Sequence, residues 1–252
     1  MEPLDSPLEE AKALLQAARQ VVVLSGAGIS TDSGIPDFRG PEGLWTKDPS
    51  AEMLSNYETW VSDLEVRARG WQTRLRSPLW SAQPNEGHRL LVELERRGTL
   101  SLLVTQNIDG LHQMAGTSPD RLVEIHGNNR QSVCLSCGER LAMEITLERV
   151  AAGEVDPSCQ RCGGILKSAT ISFGQSLVAA DLERADLAAR SCDLLLAVGS
   201  TLSVFPVASL VPTAAQRGAR VIIINAEATQ MDGLADVVIH DDLTETLRYL
   251  LS

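Results

Sequence analysis

The sequence predicts an α/β fold built on a doubly wound parallel sheet that carries two insertions. Short, near-continuous apolar runs alternate with helical patterns along most of the 252 residues, as in sheets that are buried on both faces. The runs end in glycine, amide or carboxylate residues, and two Cys-x-x-Cys pairs interrupt the alternation. We therefore expect a Rossmann-like sheet with an inserted small zinc-binding module and a helical cap insertion.

The overall composition argues against several classes of partner. The formal net charge is −11, which disfavours direct nucleic-acid binding because phosphate contacts need a basic face. No stretch approaches the roughly 18 apolar residues of a membrane span, and the acidic N-terminus lacks the pattern of a signal peptide. We expect a cytoplasmic monomer that binds neither nucleic acid nor membrane, with cysteines that are reduced, metal-bound or catalytic.

A helix and a buried strand lead to a glycine loop. Ser6 is a candidate N-cap, and Pro7 suits the first helical position. Residues 21–24 are four apolar residues in a row and predict a strand that is buried on both faces. The strand runs into Gly26-Ala27-Gly28, where glycines allow a sharp turn that presents backbone N–H groups and a helix N-terminus to a phosphate.

This glycine loop is an incomplete dinucleotide fingerprint. The third glycine of that motif would fall at Thr31, and no acidic residue follows a second strand about 20 residues further on. A plain strand-turn-helix is therefore an open alternative. The continuation Pro36-Asp37-Phe38-Arg39 is unusual for a simple turn and favours a functional loop.

Residues 41–84 are irregular in pattern. They are interrupted by prolines and contain all four tryptophans, which indicates a locally different structure. We expect short helices around 50–56, 57–69 and 70–76. Because a long loop with helical pieces is usually functional, we interpret the segment as an insertion over a binding cleft; a helical cap without contact to the chemistry is the alternative.

A second buried strand and a short third strand bring polar residues to the same edge of the sheet. Asn85 caps a helix, and residues 100–104 form a strand that runs into Gln106-Asn107-Ile108-Asp109. The short strand at 121–125 ends in His126. Since the carboxyl ends of parallel strands meet at one crevice, these side chains are expected to converge there.

His126 is a candidate general base, because it lies at a strand end beside that crevice. A structural role is an equally open alternative for a single histidine. The three other histidines, His88, His112 and His240, are expected to have structural or solvent roles.

Two cysteine pairs predict a metal site. Cys134 and Cys137 are separated by two residues, as are Cys159 and Cys162, and a glycine follows each pair. Four thiolates in this spacing predict one structural Zn²⁺ in a closed tetrahedral site; two unrelated redox pairs are the alternative. Cys192 is expected to be an inert core thiol.

The α/β alternation resumes after the second cysteine pair and supplies two more strand ends. A helix at about 179–190 precedes a strand at 193–198 that ends in Gly199-Ser200-Thr201. Another strand at 220–224 ends in Asn225-Ala226-Glu227. A helix from Pro206 to Gly218, a short strand at 237–239 and a helix at 242–251 complete the pattern.

The composition of the strand ends suits a dinucleotide. Backbone donors and hydroxyls at 26–30 and 199–201 suit a pyrophosphate. Carboxylate and amide groups at positions 107, 109, 225 and 227 suit ribose hydroxyls or a carboxamide.

Taken in chain order, these motifs closely resemble those of the sirtuins, the NAD-dependent protein lysine deacylases. The matching segments are 26–30, 33–40, 105–112, 126–127, the two cysteine pairs, 173–174, 199–202, and Asn225 with Glu227. The resemblance implies a Rossmann-like NAD-binding domain (1–40, 85–127 and 171–252), a helical cofactor-loop or cap insertion (41–84) and a zinc-binding small domain (128–170).

The resemblance also implies an activity and a role for each matching residue. Acetylated lysine of a protein substrate and NAD, which is consumed, would meet in the cleft, and the acyl group would pass to ADP-ribose with release of nicotinamide. His126 would be the catalytic base, Asn107 would order the reacting ribose or a water, and Ile171, Phe173 and Gly174 would bind the substrate. The implied NAD contacts are Gly26, Ala27, Gly28, Ser30, Asp37, Phe38, Arg39, Trp45, Gln106, Asn107, Ile108, Asp109, Gly199, Ser200, Thr201, Asn225 and Glu227.

Departures from the family pattern concern specificity. The family often has proline and glutamate where this chain has Ser168 and Gln175, which puts the preference for protein partners in doubt. Sirtuins that prefer acidic acyl groups carry a Tyr-x-x-Arg pair, whereas Tyr57 is followed three places on by Trp60. We therefore expect a neutral acyl group, acetyl first.

Two other functions stay open at this point. Cleavage of NAD could serve mono-ADP-ribosyl transfer to protein, which would label the protein instead of forming acyl-ADP-ribose. Alternatively, the chain could be a non-catalytic module that senses NAD and binds acyl-lysine, although the retained His126, Asn107 and Asp109 argue against this.

Overall fold

The computed structural model describes residues 6–38, 40, 43–48 and 53–252. Within them the α-helices are α1 (Pro7–Ala17), α2 (Leu44–Lys47), α3 (Tyr57–Ser62), α4 (Leu64–Leu75), α5 (Glu86–Arg96), α6 (Leu111–Ala115), α7 (Met143–Ala151), α8 (Ala179–Ser191), α9 (Leu210–Gln216) and α10 (Leu243–Leu251). The strands are β1 (Val21–Ser25), β2 (Leu100–Thr105), β3 (Leu122–Glu124), β4 (Gly127–Cys134), β5 (Arg140–Ala142), β6 (Leu166–Thr170), β7 (Leu194–Val198), β8 (Arg220–Ile224) and β9 (Val237–Ile239).

Six of these strands form a parallel sheet in the order β3-β2-β1-β7-β8-β9. The connections run outward from β1 in one direction and from β7 in the other, so the strand order reverses between them. This is the doubly wound arrangement that the apolar runs predict, and ligands bind such sheets at the reversal point.

The continuous apolar strands place hydrophobic side chains on both faces of the large sheet. Along β1, Val22 and Leu24 contribute to one core, whereas Val21 and Val23 contribute to the other. Every residue of β1 is buried, because helices cover both faces of the sheet. The predicted double burial is therefore confirmed.

The smaller sheet is antiparallel, in the order β5-β4-β6. One of its faces packs against α7 and also against the cap helices, since Trp60 and Trp71 share a core with Cys134, Met143 and other buried residues of this unit. The helical cap and the cysteine-bearing unit are thus joined by one hydrophobic core.

Several local predictions are confirmed by the helix ends. The Ser6 side chain caps α1 by accepting a hydrogen bond from the backbone N–H of Glu9, and Asn85 caps α5 by accepting one from the backbone N–H of His88. The predicted strand positions agree with β2, β7, β8 and β9 to within a residue.

The predicted division of the cap into helices at 57–69 and 70–76 is wrong. The break lies at Asp63, whose carboxylate accepts hydrogen bonds from the N–H groups of Glu65 and Val66 and so starts α4. Gly70 lies inside α4 because the Trp60 ring covers it, and a Cβ there would lie 2.4 Å from that ring. Of the helix expected around 50–56, residues 50–52 lie outside the described residues.

Two other predicted helices are wholly or partly 3₁₀. The glycine loop leads into a 3₁₀ helix at Ala27–Ser33, and Pro206 precedes a 3₁₀ turn at Val207–Ser209 that continues into α9. None of the described helices is long and apolar enough to cross a membrane.

Candidate active site

A large cleft of about 1250 Å³ opens at the carboxyl ends of the parallel strands, and we call it the main cleft. It lies where the strand order reverses, between β1 and β7. Its walls come from the glycine loop after β1, the loops after β2, β7 and β8, the cap, and the segment that follows β6. The predicted convergence of strand-end residues is therefore present in the structure.

The loops after β1 and β7 pack against each other through glycines. A Cβ on Gly26 would lie 2.6 Å from the Gly199 carbonyl oxygen, and one on Gly28 would lie 2.8 Å from the Gly199 Cα. Gly199 itself has a φ of 60°, a left-handed conformation that favours glycine. Close packing of two backbones therefore explains why these positions require glycine.

The amides available to a phosphate differ from those that the glycine pattern indicates. The Gly26 N–H donates to the Val198 carbonyl at 3.0 Å, and the Gly28 N–H donates to the Gly199 carbonyl at 2.8 Å. Within the described part of the chain, the backbone N–H groups of Ala27, Ser200 and Thr201 have no such acceptor. A pyrophosphate in this cleft would therefore bind those three amides, with the glycines shaping the turn.

A buried hydrogen-bond network holds Asn107. Its side-chain amide donates to the Gly26 carbonyl at 3.1 Å and to the Ser30 hydroxyl at 3.0 Å. The Ser30 hydroxyl in turn donates to the Asp109 carboxylate at 2.7 Å. Both Asn107 and Asp109 are 5% exposed, so this network fixes their orientation. Asn107 borders the main cleft, whereas the predicted contacts Ser30 and Asp109 do not line it.

His126 has a defined tautomer. Its Nδ1 lies 3.0 Å from the Gln106 carbonyl oxygen, which can only accept, so Nδ1 carries the proton and Nε2 keeps a free lone pair. Burial lowers the pKa of His126, and the hydrogen bond to Gln106 opposes this shift. A neutral imidazole with an unprotonated Nε2 bordering the cleft can act as a general base.

Two further histidines, His88 and His112, lie next to the hydrogen-bond network of Asn107, Ser30 and Asp109. The sequence pattern did not indicate this position for them. The His88 Nδ1 donates to the Asn85 side-chain oxygen at 2.9 Å, and its Nε2 lies 3.4 Å from the Ser30 hydroxyl. The His112 ring packs against His88 with 4.9 Å between ring centroids. Burial lowers the pKa of His88 to about 4 and also lowers the pKa of His112, so both are neutral structural groups, as expected.

Aromatic residues form one wall of the main cleft. The Phe38 and Trp45 ring centroids are 4.7 Å apart, and Trp45 lies 5.6 Å from Phe173. Asp37 stabilises the turn before this wall by accepting a hydrogen bond from the Gly40 N–H at 2.9 Å. Arg39, also predicted as a cofactor contact, lies outside the described residues.

The far end of the main cleft contains the remaining predicted contacts. The buried Asn225 donates from its side chain to the Glu227 carbonyl at 2.7 Å and accepts from the His240 ring at its own carbonyl. Gln106 donates to the Ser200 hydroxyl at 2.8 Å and so joins the loops after β2 and β7. The Ile108 side chain also borders the cleft.

The predicted substrate edge is partly occupied by the protein itself. The Ile171 N–H donates to the His126 carbonyl at 2.8 Å. Phe173 uses both backbone groups to bridge the cap, because its N–H donates to Ser55 and its carbonyl accepts from Tyr57. Phe173, which is 41% exposed, and the exposed Gly174 remain accessible to a substrate.

The four predicted metal ligands lie together. The Sγ atoms of Cys134, Cys137, Cys159 and Cys162 are all within 4.8 Å of one another. The Cys134–Cys162 pair is separated by 3.5 Å and the Cys137–Cys159 pair by 3.8 Å. Tetrahedral zinc with bonds of about 2.3 Å requires sulfur atoms about 3.8 Å apart, so the cluster fits one structural zinc. Cys192 lies apart in a core of the large sheet, as expected.

Comparison with known proteins assigns the family. The model of the Sir2 family matches residues 26–206. The chain belongs to the Sir2 family. It is 48% identical to "NAD-dependent protein deacetylase 2" of Streptomyces coelicolor over 92% of this chain and 96% of that protein. It is 38% identical to "NAD-dependent protein deacetylase 1" of Bradyrhizobium diazoefficiens over 97% of this chain and 95% of the relative.

Solved Sir2 structures have the same fold over nearly the whole chain. A Sir2 variant with a deacetylated p53 peptide and 3′-O-acetyl ADP-ribose superposes with a TM-score of 0.89 at 31% identity, covering 97% of each chain. A structure titled "Structural Basis for the Mechanism and Regulation of Sir2 Enzymes" gives 0.87 at 36% identity, covering 98% of this chain and 97% of the other.

The structure gives a physical account of the two departures of this Sir2 chain. Ser168 accepts a hydrogen bond from the Arg74 guanidinium at 3.1 Å, and Arg74 lies over the Trp60 ring at 4.8 Å. The Gln175 side chain accepts from the Ser172 N–H at 3.0 Å and closes the turn after the substrate edge. Arg74 borders the main cleft but was not predicted as a site residue, because its contacts are distant in sequence.

Proposed function

We propose that this Sir2-family chain is an NAD-dependent protein lysine deacetylase that transfers the acetyl group to ADP-ribose and releases nicotinamide. The observation that carries the proposal is the His126 imidazole, which borders the main cleft with Nδ1 protonated and Nε2 free. The names of the relatives, NAD-dependent protein deacetylases, support the same activity.

The chemistry supplied by bound NAD is a glycosidic carbon from which nicotinamide can leave. Amides of Ala27, Ser200 and Thr201 would hold the pyrophosphate, and Asn225 with Glu227 would bind the adenosine ribose. Phe38 and Trp45 would cover the reacting face. Ser30, Gln106, Ile108 and Asp109 would complete the nicotinamide end, while Gly26, Gly28, Asp37, Arg39 and Gly199 would shape the loops.

His126 would accept the ribose hydroxyl proton at Nε2, since Nδ1 is already committed to the Gln106 carbonyl. Asn107 would orient the ribose or a water, because Ser30 and the Gly26 carbonyl fix its amide. The segment from Ile171 to Gly174 would bind the substrate backbone. It would use groups other than the Phe173 N–H and carbonyl, which already bond to the cap.

The acetylated lysine of a protein is the proposed partner, and titles of related structures include acetylated and propionylated peptides. A neutral acyl group is favoured because Tyr57 is followed three places on by Trp60, so the Tyr-x-x-Arg pair typical of sirtuins that prefer acidic acyl groups is not formed there. A monomeric state, a cytoplasmic location and the absence of a nucleic-acid partner stay predictions from the sequence.

The test measures nicotinamide release with an acetyl-lysine peptide in the wild type and in His126→Ala. We expect a loss of roughly 10²–10⁴-fold, the usual contribution of a general base. Zinc content and melting temperature of the variant control for folding. Equal release by both proteins would remove His126 from the mechanism, and faster turnover of a succinyl-lysine peptide by the wild type would contradict the neutral acyl preference.

A further inference from the structure

A second cleft of about 770 Å³ lies behind the candidate active site, and we call it the back cleft. Its floor is the face of the small sheet that does not pack against α7. Edge strand β3 and the first turn of α8 form its sides. Thr170, Ile171, Gln175 and Ser176 border both clefts, so this segment is a shared wall.

The register of the small sheet brings cations to that floor. Val133 on β4 pairs with Arg140 on β5 and with Lys167 on β6. Because directly opposite residues share a face, Arg140 and Lys167 flank Val133, with Cα atoms two strand spacings, about 10 Å, apart. Arg130 borders the same cleft from the irregular part of β4.

These cations have unused hydrogen-bonding capacity. No ion pair of Arg130, Arg140 or Lys167 occurs within the described ranges. The Arg130 Nη2 is buried without an acceptor. The Lys167 amine donates to the Ser168 and Thr170 carbonyls, so its ammonium form keeps a third N–H without a partner.

Burial of the Lys167 ammonium group in this position costs free energy. Lys167 is 2% exposed, and burial lowers its pKa to about 7, with Arg74 contributing in the same direction. The carboxylates that border the back cleft, Glu124 and Asp181, are not paired with it, and burial raises the pKa of Glu124. Among the described residues Arg130, Arg140 and Lys167 form no ion pair, and in a chain of net charge −11 this group of basic side chains in one cleft indicates a site for negative charge, which would also favour the charged form of Lys167.

We propose that the back cleft binds a small metabolite bearing a phosphate or carboxylate group, through Lys167, Arg130 and Arg140. Its volume lies in the range of small-molecule sites. The occupant would lie against the rear of the main cleft, because the Arg130 Nε donates to the Asp109 carbonyl at 2.9 Å and the Asn129 N–H donates to the Ile108 carbonyl.

The test is calorimetric titration of the full chain with inorganic phosphate and, separately, with citrate. ADP-ribose is titrated separately, because it carries phosphate groups of its own, and the Arg140 variant described below assigns phosphate and citrate binding to the back cleft, which Arg140 borders, and not to the main cleft. We expect one site per chain, weakened at least roughly 30-fold in Lys167→Met because a buried charge partner is lost. Tighter binding of phosphate or of citrate would identify which oxyanion the site prefers.

A second pair of variants keeps the test decisive if Lys167→Met fails to fold. Arg140 and Arg217 are both exposed, but only Arg140 borders the back cleft. Arg140→Glu is expected to weaken binding about threefold or more, as for an exposed charge pair, whereas Arg217→Glu, with the same change in net charge, leaves it unchanged. No binding of either probe, or equal effects of the two charge reversals, overturns the proposal.

The outcome is separable from that for the proposed function. If ADP-ribose itself does not bind, the NAD site is contradicted, and the comparison of Arg140→Glu with Arg217→Glu still decides the back cleft.

Discussion

His126 combines burial with one specific hydrogen bond, and together these define its chemistry. The Gln106 carbonyl selects the tautomer, and burial disfavours the charged ring. A histidine in this environment is neutral at physiological pH without any carboxylate partner. The proposed base is therefore unprotonated before a substrate binds.

The pH dependence of activity follows from that environment. A base works when unprotonated, and a pKa below the usual 6.5 extends the unprotonated form to lower pH. We expect kcat/KM for the acetyl-lysine peptide to be level at pH 7 and to fall only below about 6.5. A profile still rising above pH 7.5 would contradict a depressed pKa at His126.

At the residue scale, the sequence indicated the candidate reacting groups more fully than the residues that support them. His126, Asn107 and Asp109 could be predicted because each follows an apolar strand, and parallel strands end at one crevice. The positions of His88, His112 and Arg74 around these groups could not, because their contacts with Ser30, Ser25 and Ser168 span 58, 87 and 94 residues of the chain. No local periodicity records such contacts.

At the element scale, the glycine loops after β1 and β7 pack together as one structural unit. Gly199 has a φ of 60°, and a Cβ on it would lie 2.5 Å from the Ile29 backbone nitrogen in the opposite loop. The loops therefore fix each other at the distance at which Ala27, Ser200 and Thr201 border the cleft, with backbone N–H groups that have no carbonyl acceptor among the described residues.

Substitution of Gly199 tests this arrangement. Gly199→Ala should lower the free energy of unfolding by about 1–3 kcal/mol, because it adds backbone strain and a clash, and should weaken ADP-ribose binding. Gly233→Ala is the control, since no atom lies within 4 Å of the added Cβ. Denaturant titration and calorimetry measure the two effects; equal stability of both variants would disprove the packing argument.

Removal of a zinc ligand should affect the cap as well as the small sheet. Cys134 shares a core with Trp60 and Trp71, and a structural zinc stabilises only the folded site. In Cys134→Ala we expect zinc per chain to fall from one to near zero, with loss of the near-ultraviolet circular dichroism of the tryptophans.

Cys192→Ala is the matched control for that experiment, because Cys192 is a buried thiol outside the cluster. It should retain one zinc per chain. Zinc loss with unchanged tryptophan signals in Cys134→Ala would show that the cap does not depend on the metal.

The elements themselves were predictable to different degrees. The strands of the large sheet follow from continuous apolar runs, since only doubly buried strands need them. The bounds of the cap helices do not follow from such a pattern. Gly70 suggests a break but lies inside α4, where the Trp60 ring leaves no room for a Cβ, and the break lies at Asp63. Tertiary packing outweighed local propensity there.

At the scale of the whole molecule, the fold places one cleft between a rigid sheet and a smaller unit that contains both the cap and the cysteine cluster. The segment after β6 connects these parts, because Ile171 bonds to His126 in the large domain and Phe173 bonds to the cap. The predicted substrate edge therefore contacts both units, whereas the family resemblance placed it in the large domain.

The central claim is that this cleft couples NAD cleavage to removal of the acetyl group. Its most direct test is product stoichiometry by mass spectrometry, with acetyl-lysine peptide and NAD as reactants. The account predicts one nicotinamide and one acetyl-ADP-ribose for each deacetylated peptide. Nicotinamide release that leaves the peptide acetylated, with ADP-ribose attached to protein, would contradict it.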